Sequence, residues 1–365
     1  MLSYQVIEHG QPLQKVFAGT PTPTGTEVLV RITRSGVCHS DLHIWDGYFD
    51  LGGGKRFYVK DRGCIPPFTL GHEPFGVVDA LGSGAAKVAK GLKVGQRRLV
   101  YPWIGCGKCA VCKAGQDNYC VSGTRFLGVN RPGGYSTHVL IPHPKYLVDT
   151  TGVGDSFAAT LACSGLTTYS AITKLPDLGP KDYVAVLGCG GLGLVAISIM
   201  KALGKRNVIA CDVDEGKLAA AKKLGAALVL DTRAPDAAQR LGALAKGNLV
   251  GAMDYVGMPA TFMTAYPALR KGGRYILCGL FGGEVTLPMP PIAQRAVGVI
   301  GSYVGNLAEL KAVVALAKKK KLKPMPVETR AAAEVNRTLE ELKAGKILGR
   351  VVLDFESEAE TEAPA

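Results

Sequence analysis

Cys106, Cys109, Cys112 and Cys120 fall within fifteen residues of one another, separated by two, two and seven positions. A loop that short can wrap four thiolates around one tetrahedral ion. A four-cysteine set leaves no open coordination position, which marks a structural zinc. A second group of candidate ligands has the opposite character. Cys38 lies in Gly-Val-Cys-His-Ser-Asp-Leu-His, His72 in Gly-His-Glu and Cys163 in Leu-Ala-Cys-Ser-Gly. Two thiolates and an imidazole would leave a fourth zinc position for water or substrate, as a catalytic ion requires. No two of these residues lie three apart, so spacing alone does not assign them. Of the ten cysteines, the remaining four (Cys64, Cys189, Cys211, Cys278) are scattered.

A third motif could hold a dinucleotide. Gly188-Cys-Gly190-Gly191-Leu192-Gly193 follows the apolar run Val184–Leu187 and opens a helix-like stretch, and the acid Asp212 comes 24 residues after Gly188. In this setting the first glycine makes a tight turn and the second lets a pyrophosphate approach the helix N-terminus. The third lets helix and strand pack closely. Asp212 at the end of the next strand would accept hydrogen bonds from ribose hydroxyls and repel a 2′-phosphate, favouring NAD over NADP.

The elements that must position these residues read as two textures. Up to Val148 the chain shows short alternating strands broken by glycine and proline, a β-rich domain with long loops. From about Asp155 strand-like and helix-like runs alternate: Tyr183–Leu187, Gly190–Leu203, Asn207–Cys211, Glu215–Leu224, Ala227–Leu230, Gly251–Tyr255 and Arg274–Cys278. That alternation specifies a doubly wound parallel sheet with helices on both faces, an α/β fold. Helices over Leu307–Lys320 and Val335–Ala344 and a strand over Arg350–Phe355 follow. The acids Glu356, Glu358, Glu360 and Glu362 read as a disordered tail. The expected organisation is a catalytic domain over residues 1–164 carrying the four-cysteine lobe and a dinucleotide-binding domain over 165–303. A return to the catalytic domain over 304–353 and an acidic tail over 354–365 complete it.

Composition narrows the function classes. The 365 residues are 47% hydrophobic and 20% charged, ordinary for a soluble two-domain enzyme. The net charge of +13 raises nucleic acid as a partner, but the positive residues are dispersed. The one dense run, Lys318 to Lys321 with Lys323, closes an expected helix, where the dipole favours cations. No secretion signal or membrane span is visible, so thiol and metal chemistry in a reducing cytoplasm is expected.

Together these segments resemble the zinc-dependent medium-chain alcohol dehydrogenase family, with its motifs in the family's order over nearly the whole chain. The resemblance implies a GroES-like catalytic domain beside a Rossmann coenzyme domain, two zinc ions and NAD. Cys38, His72 and Cys163 would hold the catalytic zinc and the four clustered cysteines the structural one. Glu73 would sit beside the catalytic metal, and Asp41 would orient His72. Ser40 would take the alcohol proton and pass it through the ribose hydroxyl to His43. His39 and Arg350 would contact the pyrophosphate, Lys217 the adenosine ribose, and Thr167 and Leu192 the nicotinamide side. The reaction implied is reversible hydride transfer between a primary or secondary alcohol and NAD⁺, with zinc lowering the pKa of the hydroxyl. A homotetramer or dimer is expected from the family alone.

Some expectations concern the substrate. Between Cys38 and His72 lie 33 residues, about a dozen more than the family resemblance leads one to expect. The extra piece around Leu51–Cys64 carries Lys55, Arg56 and Lys60 beside Phe57 and Tyr58, and is expected to narrow the cleft mouth and favour an anionic or aromatic substrate. Trp45, Phe49 and Trp103 are candidate pocket walls. A polyol dehydrogenase is the nearest rival. A zinc-ribbon nucleic-acid binder would leave Cys38, His72, Cys163 and the dinucleotide turn without a role. A non-catalytic NAD sensor would require a lost metal site.

Overall fold

The computed structural model of the chain describes residues 1–360. The β-rich part is organised around the strand Val28–Val37, which is almost wholly buried. It pairs antiparallel with Pro74–Leu81, with His138–Ile141 and with Arg350–Asp354. The last of these comes from the far end of the chain. Its register sets Val351 opposite Val37 and thereby delivers Arg350 beside Cys38. Val327–Ala331 runs parallel to this returning strand at the sheet edge.

The second sheet is six-stranded and parallel. Its spatial order is Leu228–Asp231, Val208–Asp212, Tyr183–Leu187, Leu249–Asp254, Arg274–Leu277, Gly298–Gly301. The chain therefore winds outward from Tyr183–Leu187 in one direction and then in the other. The crevice beyond the ends of Tyr183–Leu187 and Leu249–Asp254 is the place where such folds bind ligands. Helix Gly191–Ala202 leaves the first of these strands and is buried from Gly193 through Met200, as its near-continuous apolar sequence requires.

The two parts meet across one unbroken helical run, Asp155–Thr160, a π-helical turn Leu161–Gly165 and Leu166–Thr173. The expected boundary at residue 164 thus falls inside a continuous element. Single π turns recur at functional positions, and Cys163 sits in this one.

Two expectations are corrected. The acidic segment from residue 354 is ordered at least through Glu358. Asp354 ends a strand and Glu356–Glu360 is helical. The acids are neutralised by cations remote in sequence. Arg34 reaches Asp354 (2.7 Å) and Glu356 (3.1 Å), and Lys15 reaches Glu358 (3.0 Å). Residues 361–365 of the expected tail lie outside the described residues. The extra piece after Cys38, read from its sequence as a basic, aromatic loop, has regular structure instead. It is a β-hairpin, Tyr48–Gly52 with Lys55–Tyr58, followed by a single 3₁₀ turn Val59–Arg62 that closes on Gly63 in the left-handed region.

Candidate active site

The strand Val28–Val37 ends at Cys38, which serves as N-cap of the helix His39–Asp46. Asp41, in the first turn of that helix, is fully buried. Its Oδ2 accepts from the Cys38 backbone N–H and from the Tyr135 hydroxyl (both 2.9 Å), while Oδ1 faces His72 Nδ1 at 2.9 Å. A carboxylate opposite Nδ1 assigns the hydrogen to that nitrogen. The free lone pair is then on Nε2, which is buried with no partner. An orphaned imidazole nitrogen in a dry pocket is what a metal ligand looks like before the ion is added.

The remaining donors surround it. Single ligand atoms of Cys38, His72, Glu73 and Cys163 all lie within 4.8 Å of one another. The two sulfurs are 3.9 Å apart. All four residues are buried. The cluster's protonation is polarised. The Cys163 thiol, the His72 ring and the Arg350 charge hold Cys38 well below the usual thiol range against the burial that opposes them. The Cys38 charge, with burial, pushes Cys163 well above it. Burial lowers His72, but the Asp41 carboxylate and Cys38 outweigh it. Burial pushes Glu73 up to about 7, with Arg350 pulling the other way. Glu73 Oε2 has no partner, while its Oε1 takes the Arg350 guanidinium. Such a site carries the demand for a dication that would ionise both thiols.

The second metal-ligand cluster is equally compact. Cys106, Cys109, Cys112 and Cys120 converge within 4.8 Å. Backbone amides of Lys108 and Cys109 point at Cys106 Sγ (3.4 Å each), and the Cys106 amide points at Cys120 Sγ (3.3 Å). Amides aimed at sulfurs stabilise thiolates. The Cys112 amide accordingly draws Cys109 down to about 6.

The dinucleotide loop follows the expected division of labour among its glycines. Gly188 has φ +84°, and a Cβ on Gly193 would lie 1.9 Å from the Gly188 carbonyl oxygen, so only glycine lets this helix sit on its strand. A Cβ on Gly190 would meet nothing within 4 Å, which leaves its surface open to a ligand. The cleft over this loop is lined by His39, Gly190, Gly191, Leu192, Lys217 and Arg350. His39 is exposed on the cleft. Desolvation by the protein behind it, with the Arg350 and Lys217 charges, lowers its pKa. Asp212 is fixed at its strand end by the amides of Cys189 (2.6 Å), Val213 (2.8 Å) and Asp214 (3.0 Å). Thr167, buried in the helix after Cys163, has an unpartnered Oγ1.

The sequence comparisons agree with this geometry. Residues 24–151 match the model of the alcohol dehydrogenase GroES-like domain and residues 191–319 that of the zinc-binding dehydrogenase. The NAD-dependent alcohol dehydrogenase of Sulfurisphaera tokodaii is 37% identical over 97% of this chain and 99% of its own length. The chain belongs to the zinc-binding alcohol dehydrogenase family. The crystal structure of the alcohol dehydrogenase from Aeropyrum pernix superposes with a TM-score of 0.84 at 33% identity, covering 97% of this chain and 100% of that one. A cobalt- and zinc-bound thermostable alcohol dehydrogenase from Pyrobaculum aerophilum superposes at 0.81 with 28% identity, covering 97% and 99%.

Within this dehydrogenase the remaining candidates separate. Ser40 Oγ lies 3.9 Å from Cys38 Sγ, and His43, three residues on along the same helix, stacks on Phe49 at 4.8 Å. Trp103 packs against His72 with ring centres 5.3 Å apart and donates to the Ala162 carbonyl. Trp45 is not part of the pocket. It is buried on another side of its helix, where its indole N–H donates to the Gln11 carbonyl and Lys343 covers its ring. An aromatic residue on an amphipathic helix serves the core unless its turn faces the cleft. Three residues were invisible to sequence reasoning. Tyr135 supports Asp41, while Phe126 and Tyr303 extend the wall begun by Trp103, with ring centres 5.5 and 6.2 Å from it. No spacing singles out such aromatics. Two of the expected mouth cations cover aromatic rings. Arg56 lies over Tyr48 and Lys60 over Tyr58.

Proposed function

We propose that the chain is a zinc-dependent alcohol dehydrogenase that transfers a hydride between a primary or secondary alcohol and NAD⁺. The observation that carries this reading is the Asp41–His72 bond. It leaves Nε2 free among Cys38, Cys163 and Glu73, with Arg350 linking that cluster to the dinucleotide loop. Cys38, His72 and Cys163 would hold a catalytic zinc, and Cys106, Cys109, Cys112 and Cys120 a structural one. Gly188 to Gly193, Asp212, Lys217, His39, Thr167 and Arg350 would hold NAD. When bound, the catalytic zinc makes a hydroxyl acidic near neutral pH and the nicotinamide accepts a hydride.

The chain's own residues do the rest. Asp41 fixes the ring and tautomer of His72. Ser40 is the hydroxyl beside the cluster that takes the substrate's proton. His43, lowered by burial and by the His39 charge and therefore neutral at pH 7, is its outlet toward solvent. The walls Trp103, Phe126 and Tyr303 exclude water and favour an apolar carbon skeleton, which supports alcohols over polyols. Unbridged cysteines throughout fit a reducing compartment, and no helix among the described residues is long and apolar enough to cross a membrane. The outer strand Gly298–Gly301, with Val299 exposed, supports a homo-oligomeric assembly, dimer or tetramer.

The test is NADH formation followed spectroscopically over ethanol, benzyl alcohol and sorbitol, before and after dialysis against a chelator. Oxidation of the first two, lost on chelation and restored by Zn²⁺, is the expected result. Oxidation of sorbitol alone, or activity indifferent to chelation, would refute the reading.

A further inference from the structure

Two rows of aromatic rings leave the metal-ligand cluster and the relay histidine. One runs from His72 to Trp103 (5.3 Å) and on to Phe126 and Tyr303. The other runs from His43 to Phe49 (4.8 Å) and then Phe57 (6.5 Å). Both rows end near the same side chain. The Arg62 guanidinium lies over the Phe57 ring at 4.6 Å. Its segment is seated on the loop that carries Phe126. Gly63 abuts Asn130, and the buried Cys64 thiol donates to the Val129 carbonyl at 2.6 Å. From the opposite row, burial pushes the Tyr303 phenol up to about 12 while the nearby Arg62 charge pulls it down. Tyr303 is 37% exposed, so this end of the slot meets water.

Arg62 differs from the other cations of the hairpin and its following turn. Arg56 and Lys60 ride on rings that do not belong to either row. The hairpin tip is seated on another segment, since a Cβ on Gly52 would lie 2.9 Å from the Glu284 amide nitrogen. Among the described residues no carboxylate stands within ion-pair distance of Arg62. A guanidinium that covers a ring face can still offer N–H donors to a planar carboxylate.

We propose that Arg62 is the specificity-determining cation of the substrate slot and selects alcohols that carry a carboxylate at the end remote from the hydroxyl, with a flat apolar spacer between. This rests on the alcohol dehydrogenase reading and names the substrate class of the same site. The carboxylate is a spectator. The alcohol carbon gives its hydride to NAD⁺, the hydroxyl gives its proton to solvent, and the aldehyde keeps the acid unchanged.

The experiment compares para-(hydroxymethyl)benzoate, its methyl ester and para-(aminomethyl)benzyl alcohol as substrates of the zinc-loaded, full-length enzyme and of Arg62→Gln and Arg62→Glu. In the parent, kcat/KM for the acid exceeds that for the ester by about fivefold or more, through KM. In R62Q the acid-to-ester ratio falls toward one. In R62E it drops below one, and the amine becomes the better substrate. A parent ratio of one, or a ratio unmoved by the charge reversal, would overturn the proposal while leaving the dehydrogenase reading intact. Failure of all three alcohols and of benzyl alcohol to reduce NAD⁺ would overturn both.

Discussion

Asp41 and Cys38 are three residues apart, yet one carboxylate closes the turn between them and governs a ring 31 residues further on. Oδ2 receives the Cys38 amide while Oδ1 holds His72 Nδ1, both at 2.9 Å. The helix start, the thiolate position and the imidazole orientation are therefore one structural unit.

Breaking that unit loosens the metal before it unfolds the protein. Asp41→Asn keeps the side chain's shape but no longer anchors the imidazole as an anion. Zinc affinity at this site is expected to fall roughly 10- to 100-fold. Competition with a chromophoric chelator reads this directly, and the four-cysteine site serves as the internal control.

Arg350 joins two charged regions. It is 4% exposed, pairs with Glu73 and donates to the Val37 carbonyl at 2.8 Å. Arg350→Gln removes the cation that favours ionised Glu73; the loss stays below the roughly 3–5 kcal/mol of a stranded buried charge, because the carboxyl takes up a proton instead. Thermal denaturation shows the drop, and NAD⁺ titration shows weakened binding in the same variant. A variant as stable as the parent would contradict the pairing.

Asp212 is the residue proposed to set the coenzyme. Three amides fix its carboxylate at the end of the strand Val208–Asp212. Asp212→Ser should raise kcat/KM with NADP⁺ and lower it with NAD⁺, moving the ratio by about tenfold or more, consistent with removal of a charge repulsion of about 1.4 kcal/mol.

The proposed proton outlet, His43, predicts a pH dependence. Burial first, then the His39 charge, lowers its pKa below the ordinary value of about 6.5. The folded state thus binds fewer protons than the unfolded one just below that pH. Its contribution to stability is complete above about 6.5 and is lost as pH falls toward the folded pKa. Alcohol oxidation should hold down to about pH 6.5 and decline below it. His43→Gln should slow the reaction and flatten that acid limb. A parent profile already falling between pH 8 and 7 would show that another group carries the proton.

The four-cysteine lobe reaches the pocket through Asn118, whose amide donates to the Tyr303 carbonyl at 3.2 Å. Asn118→Ala should raise KM for benzyl alcohol several-fold while changing KM for ethanol less, because only the larger substrate reaches Tyr303. The loss in stability should be about 1 kcal/mol.

What sequence reading could reach depended on the range of the interaction. The turn at Gly188 and Gly193 is dictated by backbone sterics within six residues, so the glycines were legible, and Asp212 was legible as the acid ending the next strand. The four clustered cysteines were legible for the same reason. Cys38, His72 and Cys163 come from the end of a strand, a loop and a π turn, and only resemblance to a family brought them together. Tyr135, Phe126, Tyr303 and Arg62 carry no local signature, since an aromatic or cationic side chain is ordinary anywhere. The misreading of Glu356 and Glu358 has the same origin. Their partners Arg34 and Lys15 lie more than 300 positions away in the chain.

The most direct measurement is a metal count on the purified chain and on His72→Ala. The account predicts two zinc ions per parent chain. It predicts one in the variant, with the four-cysteine site still filled, the fold retained by circular dichroism and alcohol oxidation abolished. An unchanged metal count, or a variant that still oxidises alcohols, would contradict it.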